Sequence, residues 1–282
     1  MGRVTERRRV VRIRGGRVAE RSDTLAGEEP MEIRVGGRAL AITMRTPGDD
    51  FALAAGFLVS EGVVRSADEV ARVVYCAGAE DDGAGGRSQN SYNVVDVVLA
   101  DGVPPPAPSV ARNVYVSSSC GMCGRTSIDA VRTTARGTLS DGPRLTPELL
   151  SLLPERLRAG QQVFDRTGGL HAAALFAEDG TLLDLREDVG RHNAVDKVVG
   201  RALLDGALPL DRTVLMVSGR ASFELVQKAV MAGVPVLAAV SAPSSLAVDL
   251  AEESGVTLVG FLRGDSMNLY AGAQRVVLPE GS

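Results

Sequence analysis

From residue 170 onward the sequence alternates between short apolar runs and amphipathic runs, and this alternation constrains the fold more than any other feature. Leu170 to Phe176 and Thr181 to Leu185 flank Asp179-Gly180 and predict a hairpin. Asn193 to Leu204 reads as a helix. Thr213 to Val217 predicts a strand, and Phe223 to Met231 a helix with Phe223, Val226 and Val230 on one face. Val234 to Val240 is a continuous apolar run, as expected of a strand covered on both sides. Ser244 is placed to cap a helix over Leu246 to Glu253. Val256 to Phe261 predicts another buried strand, and Tyr270 with Val276 to Leu278 an edge. Repeated strand–helix–strand units imply a three-layer α/β sheet.

The first part of the chain is richer in strands. Met31 to Val35 and Ala39 to Met44 alternate at period two around Gly36-Gly37, a hairpin signal. Pro47-Gly48-Asp49-Asp50 starts a helix with Leu53, Phe57 and Leu58 at helical spacing, ended by Gly62. Val70 to Val74 and Asn93 to Leu99 predict further strands, and Pro104-Pro105-Pro106 with Pro108 a linker. Arginines alternating with valine and isoleucine in the first 25 residues predict an edge strand or a partly ordered arm. Thr146-Pro147 starts a helix with Leu149, Leu150, Leu153, Leu157 and Phe164 on one face. The expected fold class is α/β, with α+β character overall. It divides into a smaller β-rich N-terminal domain (1–112), a mobile loop with a short helix (113–145) and an α/β domain (146–282).

That loop carries Ser117-Ser118-Ser119-Cys120-Gly121-Met122-Cys123-Gly124-Arg125. A structural zinc site usually needs four ligands. The chain has only one further cysteine, Cys76, and two histidines, His171 and His192, distant from the pair in sequence. No metal site is expected. A lone accessible CxxC beside an arginine reads better as a sulfur or redox device. A thioredoxin-like pair would follow a strand near the chain start; three serines precede this one. Persulfide chemistry suits it: one thiolate carries sulfane sulfur and the second relays or releases it by forming a disulfide. Three cysteines in 282 residues are not a disulfide framework and point to a reducing compartment. The net charge of −4 and the scarcity of aromatics give no drive toward nucleic acid, and no apolar run of about 18 residues predicts a membrane span.

Four polar segments follow the predicted strands: Arg186 to Asn193, Ser218 to Ser222, Ser241 to Ser245 and Phe261 to Ser266. In open α/β sheets ligands bind at the carboxyl ends of strands. Several of these segments lead into helix N-termini, and Arg191, Arg220 and Arg263 lie beside them, which suits a phosphate-bearing ligand. Neither GxxxxGK[ST] nor a GxGxxG after a strand is present, so the ligand would not be held as ATP or NAD usually is. His192 at a loop-to-helix junction and His171 at a strand start read as capping or structural at least as readily as functional. Cys76 reads as a small buried hydrophobe.

Eight stretches together resemble one family. They are Glu28-Glu29-Pro30, Arg45 to Asp50, Ala55 to Leu58, Ser118 to Gly124, Gly168 to Ala173, Glu187 to Lys197, Ser218-Gly219-Arg220 and Ser241 to Ser245. The chain resembles the formate dehydrogenase accessory sulfurtransferases, the FdhD/NarQ family. The resemblance implies a cytoplasmic homodimer whose second half is cytidine-deaminase-like. It implies a sulfur carrier that takes persulfide sulfur from a cysteine desulfurase on Cys120, assisted by Cys123. The sulfur would pass to the molybdenum cofactor in its bis-molybdopterin guanine dinucleotide form, bound as substrate through a GDP-like moiety, for the formate dehydrogenase catalytic subunit. The family's cofactor-binding stretch falls on Phe261, Leu262, Arg263, Gly264, Asp265 and Ser266. With the polar segments, the expected cofactor site adds His171, Asp188, Gly190, Arg191, His192, Asn193, Ser218, Gly219, Arg220, Ser241, Ala242 and Pro243. Zinc deaminases carry H-x-E and P-C-x-x-C. Their counterparts here, His171-Ala172-Ala173 and Ser218 to Ser222, lack the glutamate and the cysteines, so zinc and deamination are not expected. The competing reading is a non-catalytic cofactor-binding chaperone of the dehydrogenase, with the CxxC as a redox latch.

Overall fold

The structure is a computed structural model that describes residues 2–76, 92–107 and 139–278, and the backbone of 115–116. In the N-terminal part, β1 (Thr5–Arg14) and β2 (Arg17–Ala26) form a separate two-stranded antiparallel hairpin closed by Gly15-Gly16. β3 (Glu29–Val35), β4 (Arg38–Arg45), β5 (Val70–Tyr75), β6 (Val94–Leu99) and β7 (Tyr115–Val116) build a five-stranded sheet in the order β5-β6-β3-β4-β7. Gly36 and Gly37 both have positive φ (57° and 80°), the requirement of the two-residue turn that joins β3 to β4. The inward positions Met31, Ile33, Val95 and Val97 are buried and face α1 (Asp50–Ser60).

The second part holds a six-stranded sheet. Its strands are β8 (His171–Ala177), β9 (Leu182–Asp188), β10 (Thr213–Val217), β11 (Val236–Ala239), β12 (Thr257–Arg263) and β13 (Ser266–Ala271), in the order β13-β12-β11-β10-β8-β9. β10, β11 and β12 are parallel, while β8, β9 and β13 join antiparallel. One face is covered by α2 (Pro147–Gly160), whose Leu150, Leu153 and Leu157 pack with Ala172, Ala174, Phe176 and Met216. The other face is covered by α4 (Arg191–Leu204), α5 (Phe223–Met231) and α6 (Ser245–Ser254), which packs with Leu215, Val217 and Leu237. The expected three-layer α/β architecture is present.

Two local expectations fail. The helix that starts at Thr146, whose Oγ1 accepts from the Leu149 amide, stops at Gly160, and α3 (Gln162–Thr167) follows as a separate turn that carries Phe164. The intervening Gln161 has a non-helical ψ of 69°. Val276 to Leu278 add no strand. After β13, Gly272 turns the chain with a φ of 68° into a 3₁₀ turn, and Val276 makes only an isolated bridge to Leu145.

The two sheets share one hydrophobic core, because α1 lies directly against α4. Glycines permit that approach. A Cβ on Gly56 would lie 1.9 Å from the Asp196 carbonyl oxygen, and one on Gly200 would lie 1.8 Å from that of Ala52. Beside this crossing, Lys228 Nζ donates to both Asp196 carboxylate oxygens (2.7 and 2.8 Å), and Ser60 Oγ donates to Asp196 Oδ1 at 2.7 Å. The pair is buried, and so is a second ion pair made by the next residue of α4, Lys197, with Asp188.

At the far end of the six-stranded sheet, buried Arg275 fastens residues 140–141. Its Nε and Nη2 donate to the carbonyls of Asp141 (2.6 Å) and Ser140 (2.8 Å), and its Nη1 to that of Gly255 (2.6 Å). Gly200→Ala is expected to lower stability by at least about 2 kcal/mol, because overpacking here forces helix backbones apart. Urea denaturation of the variant against the wild type measures this, with unchanged stability as the contrary result.

Candidate functional site

The four polar segments predicted from the sequence gather at one end of the six-stranded sheet. His171 opens β8 opposite Asp188 at the end of β9, and Ala173 pairs with Val217 at the end of β10. Ser218 is held there by two bonds: its amide donates to the Ala172 carbonyl (3.0 Å) and its Oγ accepts from the Ala172 amide (2.9 Å). Ser241, Ala242 and Pro243 follow β11; the Ala242 carbonyl accepts from the Ala221 amide (3.2 Å) and that of Ser241 from the Phe261 amide (3.2 Å). The N-termini of α4, α5 and α6 open at this same end. α6 is capped by Ser244, whereas the N-cap residues of α4 and α5, Gly190 and Ser222, make no side-chain cap; in α5 the Glu224 carboxyl takes a backbone hydrogen bond in the first turn, while the first-turn amides of α4 face the sheet end as donors.

Asp188 is fully buried and organises the α4 terminus. Its Oδ1 accepts from the Gly190 amide (2.8 Å) and Asn193 Nδ2 (2.9 Å). Its Oδ2 accepts from the Thr46 amide (3.1 Å) and pairs with Lys197 Nζ at 2.8 Å. Lys197 also donates to the Thr46 carbonyl at 2.9 Å, and Thr46 Oγ1 accepts from the Val189 amide at 3.1 Å. Asn193 reaches across as well: Nδ2 donates to the Met44 carbonyl (2.8 Å) and Oδ1 accepts from Thr43 Oγ1 (3.3 Å). Asp188 and Asn193 thus join β9 and α4 to the end of β4. The neighbouring Glu187 caps α3, accepting from the amides of Val163 and Phe164 at 2.8 Å each. Thr43, Thr46 and Lys197 were not singled out as site residues from the sequence, because no local pattern shows that β4 ends here.

Arg191, His192 and His171 stand nearer the open side. Arg191 Nε is buried and has no hydrogen-bond partner among the described residues. Burial, then the positive charge of Arg191 and then His192, lower the His171 pKa below its ordinary value, so the ring is neutral at pH 7. Gly219 keeps the adjacent turn close, since a Cβ there would sit 3.4 Å from His171 Nδ1. His192 Nε2 lies 3.3 Å from Ser222 Oγ and 3.7 Å from Glu224 Oε2. His192 beside it, first of all, holds the Glu224 carboxyl down at about 2, against the cost of partial burial. One ring nitrogen faces both partners, so the three do not form a Ser–His–acid relay, which needs a different nitrogen for each. Glu224 is a site neighbour that the sequence reading missed, and Ser222 was read only as the end of a polar segment; the signal was a Ser-x-Glu pair at a helix start.

The Phe261 to Ser266 run forms the β12–β13 turn. Phe261 adopts a φ of 50°, rare for a bulky side chain, within an irregular register between Gly260 and Arg263. Phe261 is 40% exposed, whereas Leu262 is fully buried in the core. Arg263 Nε donates to the Val240 carbonyl (3.1 Å), and Arg220, Arg263, Gly264, Asp265 and Ser266 are exposed. Donor amides, three arginines and a neutral imidazole at one sheet end make a fit for phosphate groups.

Cys120, Cys123 and the short helix expected near Thr126 to Asp129 lie outside the described residues. The strand that leads to them does not. β7 adds to β4 in parallel, pairing Tyr115 with Ile42 and Val116 with Thr43. β4 then runs on to Met44, Arg45 and Thr46, where the α4 terminus is bound.

His171 is expected to titrate below the ordinary histidine value of 6.5 in an NMR pH series, and Arg191→Ala to move it upward. Because the folded value is the lower one, the unfolded chain binds the proton first, so this group's contribution to stability falls as pH drops below 6.5. A wild-type midpoint at or above 6.5 would refute this.

Comparison with known proteins agrees with this fold. The FdhD/NarQ family model matches residues 26–277. The chain is similar to the sulfur carrier protein FdhD of Streptomyces avermitilis (72% identity, 99% of this chain and 98% of that one) and of Mycobacterium tuberculosis (55%, 98% and 100%). Its fold is similar to the crystal structure of a Desulfotalea psychrophila protein described as a formate dehydrogenase accessory protein. That likeness has a TM-score of 0.75 at 25% identity, covering 98% of this chain and 100% of the other. The family model spans both sheets, the polar segments at the sheet end and the CxxC, and on that evidence the chain belongs to the FdhD/NarQ family.

Proposed function

We propose that this protein is a sulfur carrier for formate dehydrogenase maturation, with Cys120 as the persulfide carrier and the carboxyl end of the six-stranded sheet as the binding site of the cofactor that receives the sulfur. The names of its relatives support the carrier role. The observation that carries the assignment is the course of β7. Val116 pairs with Thr43, and Thr43 is bonded to Asn193 in the first turn of α4. Cys120 follows Val116 by four residues, a reach of about 14 Å at full extension. The parallel pairing directs the chain toward Met44 to Thr46 and hence toward the α4 terminus. A thiol so tethered can serve a ligand at that terminus within one chain.

The chemistry follows from thiol exchange. The Cys120 thiolate attacks the terminal sulfur of a cysteine desulfurase persulfide, giving Cys120–S–SH and the donor thiolate. Attack of the Cys123 thiolate on the Cys120 sulfur then forms a Cys120–Cys123 disulfide and releases hydrosulfide to the acceptor; a dithiol reductant restores the pair. The acceptor is the bis-molybdopterin guanine dinucleotide cofactor, a substrate rather than a resident group. Its phosphates suit the uncapped N-terminus of α4 with Arg191, Arg220 and Arg263. His171 adds a neutral hydrogen-bonding ring without further positive charge. The partners in this reading are the desulfurase and the catalytic subunit of the dehydrogenase, in the cytoplasm, with the carrier a homodimer.

The protein, incubated with an active cysteine desulfurase and cysteine, should gain about the mass of one sulfur atom. Reductant should remove that gain, and Cys120→Ala should lack it while still binding GDP. Arg191→Ala should weaken GDP binding about tenfold by removing a charge-assisted contact. No sulfur gain on the wild type, or full dehydrogenase activation by Cys120→Ala under reducing conditions, would instead favour a cofactor-binding chaperone with a redox-latch CxxC.

A further inference from the structure

The β1–β2 hairpin has no role in the site, yet it is the most unusual surface of the molecule. Its ten-residue strands pair over their whole length, Thr5 with Ala26 through Arg14 with Arg17, and would extend about 33 Å. Among the described residues, the hydrogen bonds that tie it to the body lie at its base: the Gly27 amide donates to the Val4 carbonyl at 2.8 Å, and Arg166 Nη2 to Thr5 Oγ1 at 3.4 Å. Beyond the base nearly every residue is exposed.

The ribbon is two-faced. Ile13 pairs with Val18, and Val11 lies two residues along, so all three share one face near the tip, at 71%, 67% and 61% exposure. The opposite face carries Arg8, Arg12, Arg14, Arg17 and Arg21. Residues 3–26 hold eight of the 31 basic residues of the chain but only three of its 35 acidic ones, so the arm is net positive and the remainder net negative.

We infer that the hairpin is an intermolecular arm, covered by the acidic body of a second copy of this chain. A two-stranded ribbon is marginal in water unless something packs on it. A transient partner would leave it bare for most of its life, with two open strand edges and an apolar tip. A second copy is always available, and its body has the complementary charge. Nucleic acid fits poorly, because the acidic body repels it and the apolar tip finds no partner on phosphate. The inference goes beyond the homodimer of the previous reading by naming its surface, and it stands independently of the sulfur chemistry.

Sedimentation velocity of the full chain tests it, on the wild type, on Ile13→Ser with Val18→Ser, and on Arg12→Glu with Arg14→Glu. The wild type should be a dimer that weakens with salt, and each double variant should dissociate at least about tenfold more readily, with an unchanged thermal melt of the body. A photo-crosslinker at position 13, in a mixture of light and heavy copies, should join light to heavy. A monomeric wild type, variants that dimerise as tightly as the wild type, or crosslinks confined to single chains would each overturn the inference.

Discussion

A single buried carboxylate sets the relation between the two halves of this molecule. Asp188 accepts from an amide of its own turn, from Asn193 on α4, from the Thr46 amide at the end of β4 and from Lys197. Both charges of the pair are out of water, so their mutual attraction and their hydrogen bonds must offset a desolvation cost of several kcal/mol per ion. Here every partner is placed by a regular element: β9, α4 or β4. The glycine-mediated approach of α1 to α4 repeats the theme beside it, where Asp196, the residue before Lys197, forms a second buried pair with Lys228. Two sheets that could have been separate bodies therefore share one core and one fixed geometry at the sheet end.

The strands and helices of the second half were legible because burial on both faces leaves a continuous apolar run, and amphipathic helices leave a 3.6-residue period. The convergence of four polar segments at one sheet end was legible for the same reason: parallel strands place their following loops together. The division of labour within those segments was not. Glu187, Asp188 and Asn193 stand in a row that looks like a ligand-binding loop. In the fold Glu187 caps a helix, while Asp188 and Asn193 bind backbone about 140 residues away in sequence. A sequence pattern cannot distinguish a carboxylate that faces a ligand from one that faces a distant strand end. The Gly160 helix break was missed because the apolar period continued across it to Phe164.

Arg45 shows the same principle in the N-terminal half. It is fully buried, forks onto both oxygens of Asp50 at 3.0 Å and donates from Nη2 to Asn93 Oδ1 at 3.1 Å. Tyr75 donates to the same carboxylate at 3.3 Å, and burial first, then the charge of Asp50, push its hydroxyl up to about 12. The Arg45 to Asp50 run thus fixes the start of α1 and the end of β4, the strand beside which β7 lies. Polar residues that mark the family in sequence are, in good part, the ones that hold the site's walls in place.

The course of the chain around the cysteine pair has a kinetic meaning. The described chain before it ends at β7, on the strand β4 that reaches the α4 terminus, and the described chain after it is fastened at the other end of the six-stranded sheet, where Arg275 grips the carbonyls of Ser140 and Asp141. Cys120 is four residues from the first anchor and twenty from the second. If Cys120 carries the sulfur to the α4 terminus as proposed, so short a tether gives an effective concentration of about millimolar or more. Under that proposal, delivery to a ligand there is an intramolecular event whose rate is independent of how much protein the cell contains, while loading by a separate donor remains bimolecular. In that arrangement the supply of sulfur, rather than its hand-over, sets the pace at low protein concentration.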